Sequence, residues 1–187
     1  MWLAAFAHYA KLKKIQGNVA ECGVNIGEFA YYINKYFSDR KFYLFDTFEG
    51  FPERDMQIER KLSGDVFADS VYNTRDCFKV TNIDIVKNRM LHINQCEFHV
   101  GYFPESAKGV ADKFCFVNLD TDLYQSILSG LEFFYPQMVD GGVILIHDFF
   151  NAKLPGVERA IKDYEESNDI VLHKFPIADY LSLAVVK

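Results

Sequence analysis

The sequence predicts an α/β fold: a three-layer sandwich of helices around a mostly parallel seven-stranded sheet that ends in an antiparallel hairpin. Three observations predict it. Strand-like and helix-like segments alternate along the chain, which implies parallel pairing through right-handed crossovers. The first five strand-like segments are continuous apolar runs rather than alternating ones, as expected when both faces of a sheet are covered. The last two, "IVLHKF" and "YLSLAVVK", are separated only by "PIAD", too short for a helical crossover, so they pair antiparallel at one edge.

Each element has its own signal. In "MWLAAFAHYAKLKK" the apolar stretch is broken by His8 and Lys11 and no cleavage-like motif follows. Leu3, Phe6, Ala10 and Ile15 fit one face of an amphipathic helix, so residues 1–16 are expected to be helical rather than a leader. Gly17-Asn18 stops that helix, and "VAECGV" is a buried strand. "EFAYYINKYF" (28–37) is helical, with Phe29, Ile33, Tyr36 and Phe37 on one face, and "KFYLFD" (41–46) is the second strand. Residues 47–80 are polar and aromatic without clear period; a connection this long is expected to be a lid or substrate loop. "NIDIVKNRML" (82–91) is helical with Thr81 as N-cap. "CEFHV" (96–100) and "FCFVNLD" (114–120) are the third and fourth strands. Tyr124, Ile127, Leu128, Leu131, Phe134 and Tyr135 form a helical stripe that Gly141-Gly142 breaks. "VILIHDFF" (143–150) is the fifth strand, and a helix beginning near Pro155 buries Val157, Ala160, Ile161 and Tyr164. The 187 residues, half of them hydrophobic, are expected to form a single domain with a large core.

Composition excludes some partners. Net charge is −6 with acids and bases mixed and no basic tract, which argues against nucleic acid. No run reaches the 18 or so apolar residues of a membrane span. Cys22, Cys77, Cys96 and Cys115 show no paired metal spacing and are expected to be reduced thiols of a cytoplasmic protein. His8, His92, His99 and His173 show no mutual spacing.

In a doubly wound sheet, ligands bind beyond the carboxyl ends of the strands. Glu21 and Gly23, Asp46, Asp120 and Asp122, and His147 with Asp148 all fall there. In "ECGVNIGEFA", Gly23 and Gly27 allow a tight turn into a helix whose N–H groups face a ligand. Asp46, 23 residues beyond Gly23, is placed to accept from both hydroxyls of a ribose. This spacing suits a dinucleotide or S-adenosylmethionine. Asn25 stands where a dinucleotide site needs its middle glycine, and Glu21 would repel a pyrophosphate but suits a methionine ammonium. After the third strand, Gly101 permits close approach, and Tyr102 or Phe103 stacks on a base or belongs to the core.

"GNVAECGVNIGEFA", "YLFDTFEGFPERD", "VNLDTDLYQSILSGLEFFYPQMVDGGVILIHDF" and "PGVERAI" resemble the macrocin O-methyltransferase family, from about Gly17 to the end. The resemblance implies a Rossmann-like fold and S-adenosylmethionine-dependent methylation of a sugar hydroxyl on a small molecule or glycan. It also implies a divalent metal, Mg²⁺ or Mn²⁺, and a lid after the second strand with Thr47, Phe48 and Glu49 near the cofactor. It makes Asp120 a metal ligand that also borders the cofactor, and Asp122 the general base. Members of the family are often longer at the N-terminus, so a shortened or minimal chain is expected here, and a homo-oligomer is compatible with the reading.

A weakly acidic sugar hydroxyl needs its proton removed, and a hard cation bound by carboxylates lowers its pKa. Asp120 and Asp148 offer such oxygens from adjacent strand tips; if the fourth strand continues, alternation keeps Asp120 and Asp122 on one side. The family tends to carry two adjacent acids after the fifth strand; His147-Asp148 departs from that. His147 is then a ligand better suited to Mn²⁺, Fe²⁺ or Zn²⁺, a supporting donor, a spare base, or a core histidine. Two other readings stand beside the methyltransferase: a cofactor-binding protein without catalysis, and a nicotinamide-dependent oxidoreductase.

Overall fold

The computed structural model describes residues 2–73 and 78–187; Cys77 and part of the 47–80 connection lie outside them. The elements in order are α1 (Trp2–Leu12), β1 (Asn18–Cys22), α2 (Glu28–Tyr36), β2 (Phe42–Asp46), α3 (Glu53–Ser63) and α4 (Asp65–Ala68). They continue with α5 (Ile83–Arg89), β3 (Cys96–Val100), β4 (Phe114–Leu119), α6 (Tyr124–Phe134), β5 (Met138–Ile146), α7 (Gly156–Asn168), β6 (His173–Pro176) and β7 (Leu183–Val186). The seven strands lie in the order β3-β2-β1-β4-β5-β7-β6, parallel from β3 to β5. β7 runs antiparallel between β5 and β6, so the terminal hairpin inserts its second strand against the parallel sheet.

Both faces of the sheet's centre are covered, which is why β1, β2 and β4 are buried along almost their whole length. Val19, Leu44, Phe116 and Leu145 point to a layer containing Leu3, Phe6, Ile33 and Val86, from α1, α2 and α5. Ala20, Phe45, Val117 and Ile144 point to the opposite layer, with Met56, Phe67, Leu131 and Ile161 from α3, α4, α6 and α7. Burial of this kind contributes about 25 cal/mol per Å² of apolar surface.

Several boundaries differ from expectation. β5 begins at Met138, so Gly141-Gly142 lies inside a strand, and His147-Asp148 follows its end. β6 begins only at His173, because Ile170 and Val171 are exposed and only Leu172 is buried. α1 stops at Leu12, and Ile15 reaches the core from the following turn. Asn82, not Thr81, caps α5: its side chain accepts from the Asp84 N–H at 2.7 Å. The Thr81 hydroxyl instead donates to the Asn25 carbonyl at 2.5 Å, tying the end of the long connection to the glycine turn.

The largest difference lies in residues 47–80. α3 and α4 lie within this connection and pack into the core through Met56 and Phe67, both fully buried. The helical period was hidden because α3 buries Asp55 and Glu59 beside Met56. Glu59 accepts from the Ser63 hydroxyl at 2.6 Å, from the Tyr124 N–H at 2.9 Å and from the Gly156 N–H at 3.1 Å. One carboxylate thus satisfies free N–H groups at the starts of both α6 and α7. Gly156 is required by this approach, since a Cβ there would lie 2.1 Å from Glu59 Oε2.

Candidate active site

The carboxyl edge of the parallel strands opens onto a cavity of about 820 Å³. Glu21, Asp46, Asp120, Asp122, His147 and Asp148 all line it. It divides into three parts.

At its centre is the turn from β1 to α2. Gly23 has φ +87°, and a Cβ there would lie 2.1 Å from the Asp120 carbonyl oxygen. Only glycine lets β1 and β4 approach so closely. Gly27 does not line the cavity; it adopts φ +78° at the start of α2 and faces Val86 of α5. Asn25 lines the cavity with φ 50°. Within the turn, before the helix begins, the N–H groups of Val24 and Asn25 are taken up by the chain itself. They donate to Asp46 Oδ2 at 2.7 and 2.8 Å, and the Phe48 N–H donates to Asp46 Oδ1 at 2.7 Å. Asp46 therefore holds the glycine turn and the β2 tip together. Phe48 packs on the α2 side of the sheet and does not line the cavity, while Thr47 does, its hydroxyl donating to the Gly50 carbonyl at 3.0 Å. Glu49 lies outside the cavity lining as well.

Beneath the turn, Glu21 is 1% exposed. Its Oε1 accepts from Asn118 Nδ2 at 2.9 Å, and its Oε2 is buried without a hydrogen-bond partner among the described residues. Burial pushes the Glu21 carboxyl well above its ordinary range, against the pull of the Asn118 hydrogen bond. Asn118 Oδ1 and Thr121 Oγ1 are likewise buried and unpartnered. Polar atoms in such places are normally satisfied by a ligand, an ion or water. Glu21 Oε2 and Asn118 Oδ1 are both left with acceptor capacity that a donor from outside the chain would fill.

The third part is the acid cluster. β4 ends at Leu119, so the alternation argument for Asp120 and Asp122 does not hold. The chain turns instead, with Asp122 at φ 65° and Asp148 at φ 56°. These left-handed positions bring Asp120, Asp122, His147 and Asp148 together, one potential ligand atom from each lying within 4.8 Å of all the others. Left-handed non-glycine residues are costly and gather at functional sites. His147 lies between two carboxylates: its Nδ1 is 2.8 Å from Asp148 Oδ2 and 3.1 Å from Asp120 Oδ1. Burial works against a charged ring, but those two carboxylates raise the His147 pKa to about 11. Asp148 also accepts from Asn151 Nδ2 at 2.8 Å. Burial alone would raise its carboxyl, yet His147 and Asn151 hold it below the ordinary value. Burial, with the Asp120 and Asp148 charges, pushes Asp122 well above the carboxylate range.

The macrocin-O-methyltransferase (TylF) family matches residues 3–180. The chain belongs to this family. No curated protein sequence matches it. Among solved structures, the O-methyltransferase NovP is 20% identical with a TM-score of 0.80, over 99% of this chain and 77% of that one. The calicheamicin methyltransferase CalS11 is 20% identical with a TM-score of 0.68, over 98% and 77%. An O-methyltransferase from Bacillus cereus in complex with SAH is 13% identical with a TM-score of 0.60, over 100% and 80%. At these identities the likeness concerns the fold, which is that of Rossmann-like methyltransferases. Membership of an O-methyltransferase family removes the nicotinamide reading.

Of the cavity's lining, Asn118, Thr121 and Asp55 escaped the sequence reading, as did Glu59 next to Asp55 on α3. Asp55 and Glu59 lie on one face of α3, one turn apart, with Met56 between them. Their helical spacing was the available signal, concealed because buried faces are sought among apolar residues.

Proposed function

We propose that the chain transfers the methyl group of S-adenosylmethionine to a hydroxyl of a sugar unit on a small molecule or glycan. The observation that carries this is the convergence of Asp120, Asp122, His147 and Asp148 beside the partnerless Glu21 oxygen in one cavity. Family membership supports the reaction class, and CalS11, described as a TDP-rhamnose 3'-O-methyltransferase, supports a sugar acceptor.

In this reading Glu21 and Asn118 receive the methionine ammonium, and the β2 and β3 tips receive the nucleoside. Asp120 and Asp122, which line the cavity beyond the β4 tip, would then face the acceptor hydroxyl and the methyl donor. Asp122 takes the proton of the acceptor hydroxyl as its oxygen attacks the methyl carbon. The carbon–sulfur bond breaks, its electron pair stays on sulfur, and S-adenosylhomocysteine leaves. A carboxylate raised toward working pH is a better proton acceptor than an ordinary one.

Asp120, His147 and Asp148 would hold a divalent cation such as Mg²⁺ or Mn²⁺, which would acidify the acceptor hydroxyl. The donor set fits: carboxylate oxygens suit Mg²⁺ and the imidazole favours Mn²⁺. A metal-independent variant is favoured by one observation, the placement of His147 Nδ1 within hydrogen-bonding distance of both Asp120 and Asp148. An imidazolium there balances the carboxylates as a cation would.

Methyl transfer to a nucleotide-sugar panel, with chelator and with added Mg²⁺ or Mn²⁺, tests both versions. The metal-assisted reading expects activity to vanish with chelator and return with metal; chelator-insensitive turnover selects the imidazolium version. Absence of S-adenosylhomocysteine binding in calorimetry would remove the whole assignment.

A further inference from the structure

Asn151 lines the cavity, and neither version of the reaction above uses it. It lies in the turn between β5 and α7. Both ends of its side-chain amide are committed. Its Oδ1 accepts from the Lys153 N–H at 3.1 Å. A backbone N–H can only donate, so this bond decides which end is oxygen and turns the NH₂ the other way. There it donates to Asp148 Oδ1 at 2.8 Å and reaches the Tyr72 hydroxyl oxygen at 3.5 Å. Backbone bonds close the same turn: the Asn151 N–H donates to the Asp148 carbonyl at 3.0 Å, and the Leu154 N–H donates to the Asn151 carbonyl at 2.9 Å.

One NH₂ group thus meets two regions of the molecule. The first is Asp148, at φ 56° and 7% exposed. A carboxylate held at one oxygen presents the other in a set direction, and here Oδ2 faces the His147 ring at 2.8 Å. The second is the connection from β2 to α5. The Tyr72 ring packs on Phe78 with 6.3 Å between centroids, and Phe78 meets Phe51 at 5.3 Å. All three rings line the cavity. An acceptor resting on this aromatic wall would therefore rest on a partner of the residue that aims Asp148.

We propose that Asn151 is a positioning residue, which aims Asp148 into the acid cluster and ties that aim to Tyr72 in the long connection. The inference rests on the reaction proposed above. A group that orients a ligand or base without touching substrate is typically worth about 10- to 100-fold in activity or metal affinity.

Variants of the full chain test this, with kinetics on the nucleotide-sugar panel and hydrogen exchange on the ligand-free protein. Asn151→Asp keeps the size of the side chain and an acceptor for the Lys153 N–H, but sets a carboxylate against Asp148. Its kcat should fall about 10- to 100-fold while the KM for S-adenosylmethionine stays within a few-fold. A residue that only shaped the turn would tolerate this change, so wild-type kcat in Asn151→Asp overturns the aiming role. Tyr72→Phe keeps the ring and should lower kcat about two- to fivefold, the value of a weak neutral hydrogen bond. In an Asn151→Ala background the same change should have no effect, because groups that share one joint are not additive. An equal loss in both backgrounds overturns the tie to Tyr72. Asn151→Ala should also speed exchange around Tyr72 as well as in its own turn; faster exchange in the turn alone overturns the tie by a route that needs no activity. Wild-type protein that binds S-adenosylhomocysteine but methylates no sugar overturns the sugar reading, and exchange then decides the joint. Wild-type protein that binds no S-adenosylhomocysteine overturns the cofactor reading, which is a separate failure.

Discussion

Asp46 and Asp122 are both aspartates at strand tips lining one cavity, yet their surroundings differ in kind. Asp46 accepts three backbone N–H groups, from Val24, Asn25 and Phe48. Asp122 is buried beside Asp120, Asp148 and His147, where its charge is opposed by other carboxylates. A carboxylate saturated by backbone donors fixes the shape of a site. One surrounded by like charge is poised to take up a proton or share a cation. The same residue type thus holds the architecture at the β2 tip, whereas at the β4 tip it has the surroundings of the proposed base.

The largest effect should come from breaking the chemical side of this contrast. Asp122→Asn removes a proton acceptor with little change in volume. Turnover should fall by about 10²–10⁴, the usual reach of a general base, while S-adenosylhomocysteine affinity stays within a few-fold. Single-turnover kinetics beside calorimetry separates the two. Full activity in this variant would take the base assignment away from Asp122.

The architectural side should respond differently. Asp46→Ala leaves three backbone N–H groups without their acceptor, and removing the partner of a buried donor costs about 1–3 kcal/mol. The expected result is a lowered denaturation midpoint and weakened cofactor binding together, because the turn loosens. If only binding falls and stability does not, Asp46 contacts the ribose without supporting the turn.

This contrast marks how far the sequence could be read. The five parallel strands were legible because a continuous apolar run, bounded by helical segments on either side, suits a strand covered on both faces. The acids at the strand tips were legible because a carboxylate that ends an apolar run is unusual. What Asp46 bonds to was not legible, since the approach of Val24 and Asn25 depends on a positive φ at Gly23 and on the β1–β2 pairing. α3 was hidden for a related reason. Its buried face carries Asp55 and Glu59, whose burial is intelligible only once Tyr102, Tyr124 and Gly156 are in place.

Glu59 gives a smaller test that joins the two regions. It holds α3 to the start of α6, directly after the Asp120–Asp122 turn, so part of the long connection is anchored. Backbone amides of α3 should be protected from hydrogen exchange without ligand, while the flanks of the connection exchange faster. Glu59→Gln keeps the shape but places an NH₂ against an N–H. It should speed exchange at Tyr124 and Gly156 and lower stability by about 1–2 kcal/mol, leaving the strands protected. Uniform exchange across residues 47–80 in the wild type would contradict the anchor.

The smallest effect concerns pH, and its sign follows from the three groups held above their ordinary values. Glu21 and Asp122 are raised by burial, so above their unfolded values, near 4, the folded state must give up protons it prefers to keep. His147 is raised to about 11 by Asp120 and Asp148, so its contribution is fully present below about 6.5 and fades as pH rises toward 11. All three make the ligand-free protein less stable as pH rises. The lowered Asp148 acts oppositely, but its stabilisation is already complete above the unfolded value and is lost only on acidification. Between about pH 6.5 and 9 the thermal midpoint should therefore drift downward by a few degrees. His147→Gln should flatten the drift, because the titrating ring is gone while a donor to the carboxylates remains. A profile that rises over this interval, or a slope unchanged in His147→Gln, would show that the imidazole does not carry the charge that balances Asp120 and Asp148.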